Sequence, residues 1–358
     1  MTSMTRMQRV LTALSHQEPD RVPFFLPLTM HGAQELGLSI KEYYARAEHV
    51  VEGQVRMLQK YRHDALFSFF YASVEVEAWG NEVIYTDDGP PNAAEPFLRT
   101  PSMIPDLQVP VVKESPSLVK VLEATQMIRS RVGPDVPIIG VVMSPFSLPV
   151  MQMGFDRYIE LIYEQPDLFA QLMQVNEEFS VAWANAQLEA GATTIGYFDP
   201  VSSPTIIPRE LYLKTGWPIM QRMYARIQGP TATLFASGLV LPVLEDILEV
   251  GTALVGASAY EDITQMKAMC RGKSTVIGNL NAIEMCRWTV EQAEQEVKKV
   301  LAAAAPGGGF MLCDNHGEIP FQVPEDVLLA IADAVERWGT YPLKWVAHEG
   351  SEALHHRV

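Results

Sequence analysis

The segment Cys313-Asp314-Asn315-His316-Gly317 puts an imidazole two positions from a carboxylate. A carboxylate so placed raises an imidazole pKa and orients its ring, as a general acid or a metal ligand requires. A loop histidine that makes a structural hydrogen bond gives the same pattern. Asp199 lies in Phe198-Asp199-Pro200, where the following proline disfavours helix and holds the carboxylate at the end of an apolar run. Capping a helix or holding a loop is the alternative role for it. Asn279 and Asn281 follow another apolar run and can hydrogen-bond a ligand carbonyl, although asparagine there is also an ordinary turn residue. Ser237 ends a third run, in Phe235-Ala236-Ser237-Gly238. Glu75 and Glu77 flank Val76, so in an extended stretch they share one face, as metal ligands, an acid/base pair or a solvated edge. His31 follows Leu28-Thr29-Met30 and can reach a pocket from a first loop. Phe24, Phe70, Tyr71, Trp79, Met143, Met151, Tyr197 and Phe235 would make an aromatic and thioether lining for a flat or methylated substrate, or else simply core.

These candidates share a position, since most end short apolar runs that alternate with amphipathic helical stretches. The strand candidates are 22–28, 64–69, 138–143, 193–198, 231–235, 253–256, 275–278 and 310–312. Eight such runs separated by helical patterns predict a (β/α)8 TIM barrel, whose reactive groups project from the carboxyl ends of its strands. A doubly wound open sheet is the competing fold, but no GxGxxG loop is present. An amphipathic helix opens the chain over residues 3–15, and further helices are predicted over 41–61 and 116–132. Thr289-Val290-Glu291-Gln292 is a capping box that starts another. Residues 71–110, broken by Gly80, Asp87-Asp88-Gly89-Pro90-Pro91 and Pro101, read as an insertion after the second strand, running over the barrel mouth. The domain organisation expected is one barrel over 1–347 with a frayed tail over 348–358.

Composition narrows the class. The 358 residues are 48% hydrophobic and 20% charged, as in a globular enzyme. No apolar run approaches the roughly 20 residues that span a bilayer, so no membrane partner is expected. A formal charge of −16 would repel a phosphate backbone and argues against nucleic acid. The opening residues carry no secretory pattern, so a cytoplasmic location is expected. Cys270, Cys286 and Cys313 have no CxxC spacing and are expected to be reduced thiols.

Thr5-Arg6-Met7-Gln8-Arg9-Val10-Leu11 through Glu18-Pro19-Asp20-Arg21-Val22-Pro23 resembles the opening of uroporphyrinogen decarboxylase superfamily members. Tyr197-Phe198-Asp199-Pro200, Ser203-Pro204, Ile207-Pro208, Gly278-Asn279 and Gly308-Gly309-Phe310 continue the resemblance in order, most closely to the methylcobalamin:coenzyme M methyltransferase branch. That branch implies a zinc ion held by a His-x-Cys-Gly motif and a later cysteine, which activates a thiol. Here Phe235 and Ser237 stand in the motif, and His316 falls near the third position. Glu77-Ala78-Trp79-Gly80 resembles an acidic motif of the branch, which makes Glu77, like His316, a candidate metal ligand. The decarboxylase branch implies a catalytic aspartate where Phe69 stands and a tyrosine near Met151. It also implies an arginine pair that has no counterpart between Phe24 and Glu35, while His316-Gly317 matches its His-Gly pair. A porphyrinogen with its carboxylates would meet Phe69, Met151 and Phe235, which cannot neutralise it.

The reading that follows is a corrinoid-linked methyltransferase. It takes a methyl group from a small O-, N- or S-methylated donor, and the corrinoid (cobalamin) is carried by a separate partner protein because no Asp-x-His-x-x-Gly motif occurs. His316, polarised by Asp314, would protonate the leaving atom, Asp199 and Asn279 would orient the donor, and Phe235 would pack against it. The resemblance also implies a homodimer. Decarboxylation of a smaller acid and ligand binding without catalysis are the alternatives.

Overall fold

The computed structural model describes residues 3–314 and 316–346. Asn315 and the expected tail lie outside the described residues.

Seven parallel strands form one curled sheet. In chain order they are β1 (Leu66–Phe67), then, after the short antiparallel pair β2 (Val83–Ile84) and β3 (Asn92–Ala93), β4 (Ile138–Met143), β5 (Thr194–Phe198), β6 (Thr231–Leu234), β7 (Leu254–Gly256), β8 (Thr275–Leu280) and β9 (Phe310–Asp314). Each pairs with the next in the order β1-β4-β5-β6-β7-β8-β9. The eighth position belongs to the segment around Phe24. Phe25 N donates to Leu312 O at 2.9 Å, Leu312 N to Pro23 O at 2.9 Å, and Asp64 N to Phe24 O at 2.8 Å. That segment therefore joins β9 to the edge beside β1 and closes the barrel. It forms an isolated bridge rather than the expected strand because Pro23 and Pro27 have no N–H to give a ladder.

Closure is reinforced below the strands by buried charges. Arg9 pairs with Asp20 at 2.6 Å and with Asp64 at 2.6 Å, and Arg21 reaches the other Asp64 oxygen at 2.6 Å. The same oxygen accepts the Phe24 N–H at 2.9 Å. Arg9 comes from the opening helix Arg6–Leu14, which begins on a Thr5–Gln8 capping box.

The strands divide two cores between their faces. Ile138, Val142, Ile195, Val255, Val276 and Phe310 pack outward against the helices. Phe25, Phe67, Val141, Ala232, Leu254, Ile277 and Met311 point inward and share a separate cluster with Val10 and Leu14 of the opening helix.

The helix after Thr289 starts on its predicted capping box and runs Val290–Ala304. The predicted helix over 41–61 is divided instead into Ile40–Ala45 and Ala47–Tyr61 by extended Arg46, at φ −136°. Between β1 and β4 the predicted extended pieces are mostly 3-10 turns around the β2–β3 hairpin. Glu75 and Glu77 consequently do not share a strand face. Glu77 lies in the turn Val76–Trp79 and Glu75 just before it.

Candidate active site

His316 lines the lumen at the carboxyl end of β9, with Pro27, Ala236, Ala257, Asp314 and Gly317 around it. Asp314 holds the backbone of His316. The Asp314 carboxylate accepts the His316 N–H at 3.0 Å and the Gly317 N–H at 3.1 Å. Gly317, at φ +84°, provides the left-handed turn that brings both N–H groups onto one carboxylate. Burial moves the two side chains in opposite directions. It pushes the Asp314 carboxyl up to about 6, against the pull of these N–H donors. It lowers the imidazole pKa, so the expected raising of His316 by its neighbour does not occur.

A further carboxyl stands beside these two. Burial raises Glu318, and the Asp314 charge adds to that rise. The Thr29 hydroxyl donates to Glu318. Thr29 follows the first barrel segment and Glu318 the last strand, so this hydrogen bond ties two loops that only closure makes neighbours.

The other candidates do not gather here. Asp199 is fully buried, and its carboxylate accepts the hydroxyls of Ser144 at 2.5 Å, Ser147 at 2.6 Å and Ser202 at 2.6 Å. It therefore locks the loops after β4 and β5 rather than facing the lumen. Phe235 and Tyr197 belong to the outer core: their rings meet Tyr212 at 6.3 Å and Tyr224 at 5.4 Å. The inward neighbours are Gly196 on β5 and Ala236 just past β6. Phe69 likewise turns outward onto Tyr44, and Phe67 and Phe70 take the inward side. Met151 sits on the short helix Pro149–Met153 against the outer core. The Ser237 carbonyl accepts the Ser258 hydroxyl at 2.9 Å, and the Asn279 amide donates to Ser258 O at 2.9 Å. Asn279 lines a different cavity, with Glu261 and Trp288. Asn281 caps the helix Ala282–Met285.

Glu77 accepts the Tyr71 hydroxyl, and burial raises its pKa. His31 is buried edge-on to Phe321 at 5.7 Å. Burial lowers its pKa to about 4, although the Pro320 carbonyl lies close enough to oppose this without closing a hydrogen bond.

The zinc set implied by the resemblance does not fit these residues. Phe235 points away from the lumen, a neutral serine hydroxyl at Ser237 is a poor zinc donor, and no group of three His, Cys, Asp or Glu converges among the described residues.

Glu75 was legible only as half of a pair, yet it is the more perturbed member. Its Oε1 accepts the Met143 N–H at 2.9 Å. Its Oε2 has no partner among the described residues, although the Trp183 indole is near enough to favour the charge. Burial dominates and raises the carboxyl to about 8. A folded-state pKa above the usual value of 4.5 means that the folded protein binds this proton more tightly. The stability it confers is complete below about pH 4.5 and is lost as pH rises to about 8, at roughly 1.4 kcal/mol per unit. Glu75→Gln should remove that slope. Urea unfolding at pH 5.5 and 7.5 should show the variant gaining about 2 kcal/mol on the wild type between the two values. Parallel pH dependences would disprove the assignment.

The fold and the sequence both have known counterparts. Residues 5–338 match the uroporphyrinogen decarboxylase (URO-D) family, and the chain belongs to it. A methylcobamide:CoM methyltransferase MtaA of Methanosarcina barkeri is 26% identical over 343 residues, covering 93% of this chain and 98% of the relative. A uroporphyrinogen decarboxylase of Herminiimonas arsenicoxydans is 26% identical over 371 residues, covering 96% of each. A methyltransferase from Methanosarcina mazei superimposes with a TM-score of 0.83 at 23% identity, over 94% of this chain and 99% of its own, which shows a shared fold. Members of the family are thus enzymes of two reaction types, methyl transfer and decarboxylation. No helix among the described residues is long and apolar enough to cross a membrane.

Proposed function

We propose that this chain is a corrinoid-linked methyltransferase acting on a small, uncharged methylated donor. The observation that carries the reading is the chemistry of the lumen mouth. Its lining holds His316 and Asp314 among apolar and small residues, and no lysine or arginine is among the described lining residues. A substrate rich in carboxylates would find no counter-charge there and would face the Asp314 and Glu318 carboxyls. A neutral ether or thioether, or an amine in its unprotonated form, meets no such penalty.

The corrinoid, carried by a separate protein at the mouth, would supply the nucleophilic metal that receives the methyl group. This chain would exclude water from the donor, orient its methyl carbon outward, and deliver a proton from His316 to the leaving oxygen, nitrogen or sulfur. Asp314 would serve by fixing the His316 backbone. Asp199, Phe235 and Asn279 would take no part, because none is among the described residues that line the lumen.

The family's second reaction type gives the runner-up. Incubating the wild-type protein with uroporphyrinogen and with smaller acids, and measuring carbon dioxide directly, separates the two. No release above background is expected. Catalytic release would replace this reading with a lyase.

A further inference from the structure

The inward and outward faces of the barrel differ in a way that a filled lumen would not show. Ile138, Val142, Ile195, Val255 and Val276, which face the helices, are 0% exposed, whereas inward Val141, Ala232, Leu254, Ile277 and Cys313 retain 6% to 8%. The inside of the barrel is therefore the more accessible side of its own strands. Barrel lumens of this kind are ordinarily filled by layers of bulky branched side chains. Here Ala65, Gly196, Ala232, Ala236, Gly256 and Ala257 stand on the lining. They leave a free volume of about 130 Å³, which runs from Val10 and Leu14 of the opening helix to Asp314 and His316.

Size and polarity together define what fits. An engineered cavity of roughly 150 Å³ lined by Leu, Ile and Phe stays dry and binds benzene. The present space is close to that size, and Phe25, Phe67, Ile139, Leu254, Ile277 and Met311 give it a similar wall. A water molecule needs two to four polar partners to be held, which the middle of this wall does not offer. An anionic guest would leave its solvation behind and meet no lysine or arginine among the described lining residues.

We propose that the barrel lumen beneath His316 is a binding site for an uncharged apolar body the size of one six-membered ring. A ligand with a polar or methylated end would lie with that end toward His316 and Asp314. In that form the site deepens the methyl-transfer reading and rests on it for what happens at the polar end. Occupancy of the lumen by the apolar body does not depend on any reaction.

The test uses the full chain with benzene, and sodium benzoate as the charged probe of similar size, with neither donor nor corrinoid present. Calorimetry should show saturable benzene binding at one per chain. The unfolding midpoint should rise by about 2 °C at ten times the Kd, and benzoate should do neither. Ala232→Leu, which fills the lumen from β6, should abolish the benzene response. Should that variant not fold, Ala65→Val reads the same space from the residue before β1. Nuclear Overhauser contacts from benzene to the methyl groups of Ile139, Leu254 and Ile277, which line the space, locate the probe in the wild type directly. The proposal is overturned by absent or non-saturable benzene binding, by equal binding to a folded lumen-filled variant, or by contacts only to residues outside the lumen. Because methyl transfer is never measured here, a failure of that reading and a failure of this one remain distinguishable.

Discussion

His316→Ala should lower methyl transfer by about 10²–10⁴-fold, the usual range for losing a positioned proton donor. Among the described residues that line the mouth, His316 carries the imidazole. Its place is set by its backbone, since the N–H groups of His316 and Gly317 converge on the Asp314 carboxylate. Asp314→Asn should therefore slow the reaction by misplacing the ring, and in that role Asp314 is a positioning residue. The pH profile distinguishes the two. Burial lowers the imidazole pKa, so the charged, proton-donating form becomes scarcer as pH rises through neutrality. The wild-type rate should fall from pH 6 to pH 8, and His316→Ala should lose that fall along with most of the rate. Asp314→Asn should keep it. An alanine variant with an unchanged rate would remove His316 from the mechanism.

Asp199→Ala should cost about 3–5 kcal/mol of folding stability while leaving a folded fraction with normal substrate affinity. The carboxylate is the common acceptor for Ser144, Ser147 and Ser202, and those residues carry the chain out of β4 and β5. Ser147 also takes the Val201 N–H at 3.1 Å, and Ser144 takes the Ser147 N–H at 2.8 Å. Removing the carboxylate strands the three hydroxyls in a dry interior beside Tyr158, Tyr197, Tyr212 and Tyr224, whose titrations all feel its charge. Asp199→Asn keeps a carbonyl acceptor and should cost less than half as much. Urea denaturation of the two variants measures both numbers. A stable Asp199→Ala protein with impaired catalysis would return the residue to the active site.

The contrast between these two residues shows what the chain made legible. Strand positions followed from apolar runs, and the barrel end that carries His316 followed from them. The facing of each side chain did not. β5 is covered on both sides and apolar after Thr194, so no alternation marks Tyr197 as outward and Gly196 as inward, and Phe235 and Ala236 lie just past β6, where no strand period applies. The resemblance drew attention to Phe235 because of the family residue it replaces, and said nothing of its direction. Two features were recoverable and were missed. Once β4 and β5 are neighbours, serines 144, 147 and 202 must crowd the same end as Asp199. Once the barrel closes, Thr29 and Glu318 must share an edge despite lying at opposite ends of the sequence. Glu75 was harder to see, because its perturbation comes from burial between two 3-10 turns, Ala72–Val74 and Val76–Trp79, where an extended stretch was predicted.

The most direct measurement is the visible spectrum of reduced cob(I)alamin incubated with the purified wild-type protein and a panel of methyl ethers, methylamines and methyl thioethers. Conversion to the methylated corrinoid with at least one neutral donor, dependent on the protein and largely lost in His316→Ala, is the expected result. No methylation with any uncharged donor, together with turnover of a polycarboxylate substrate, would contradict it.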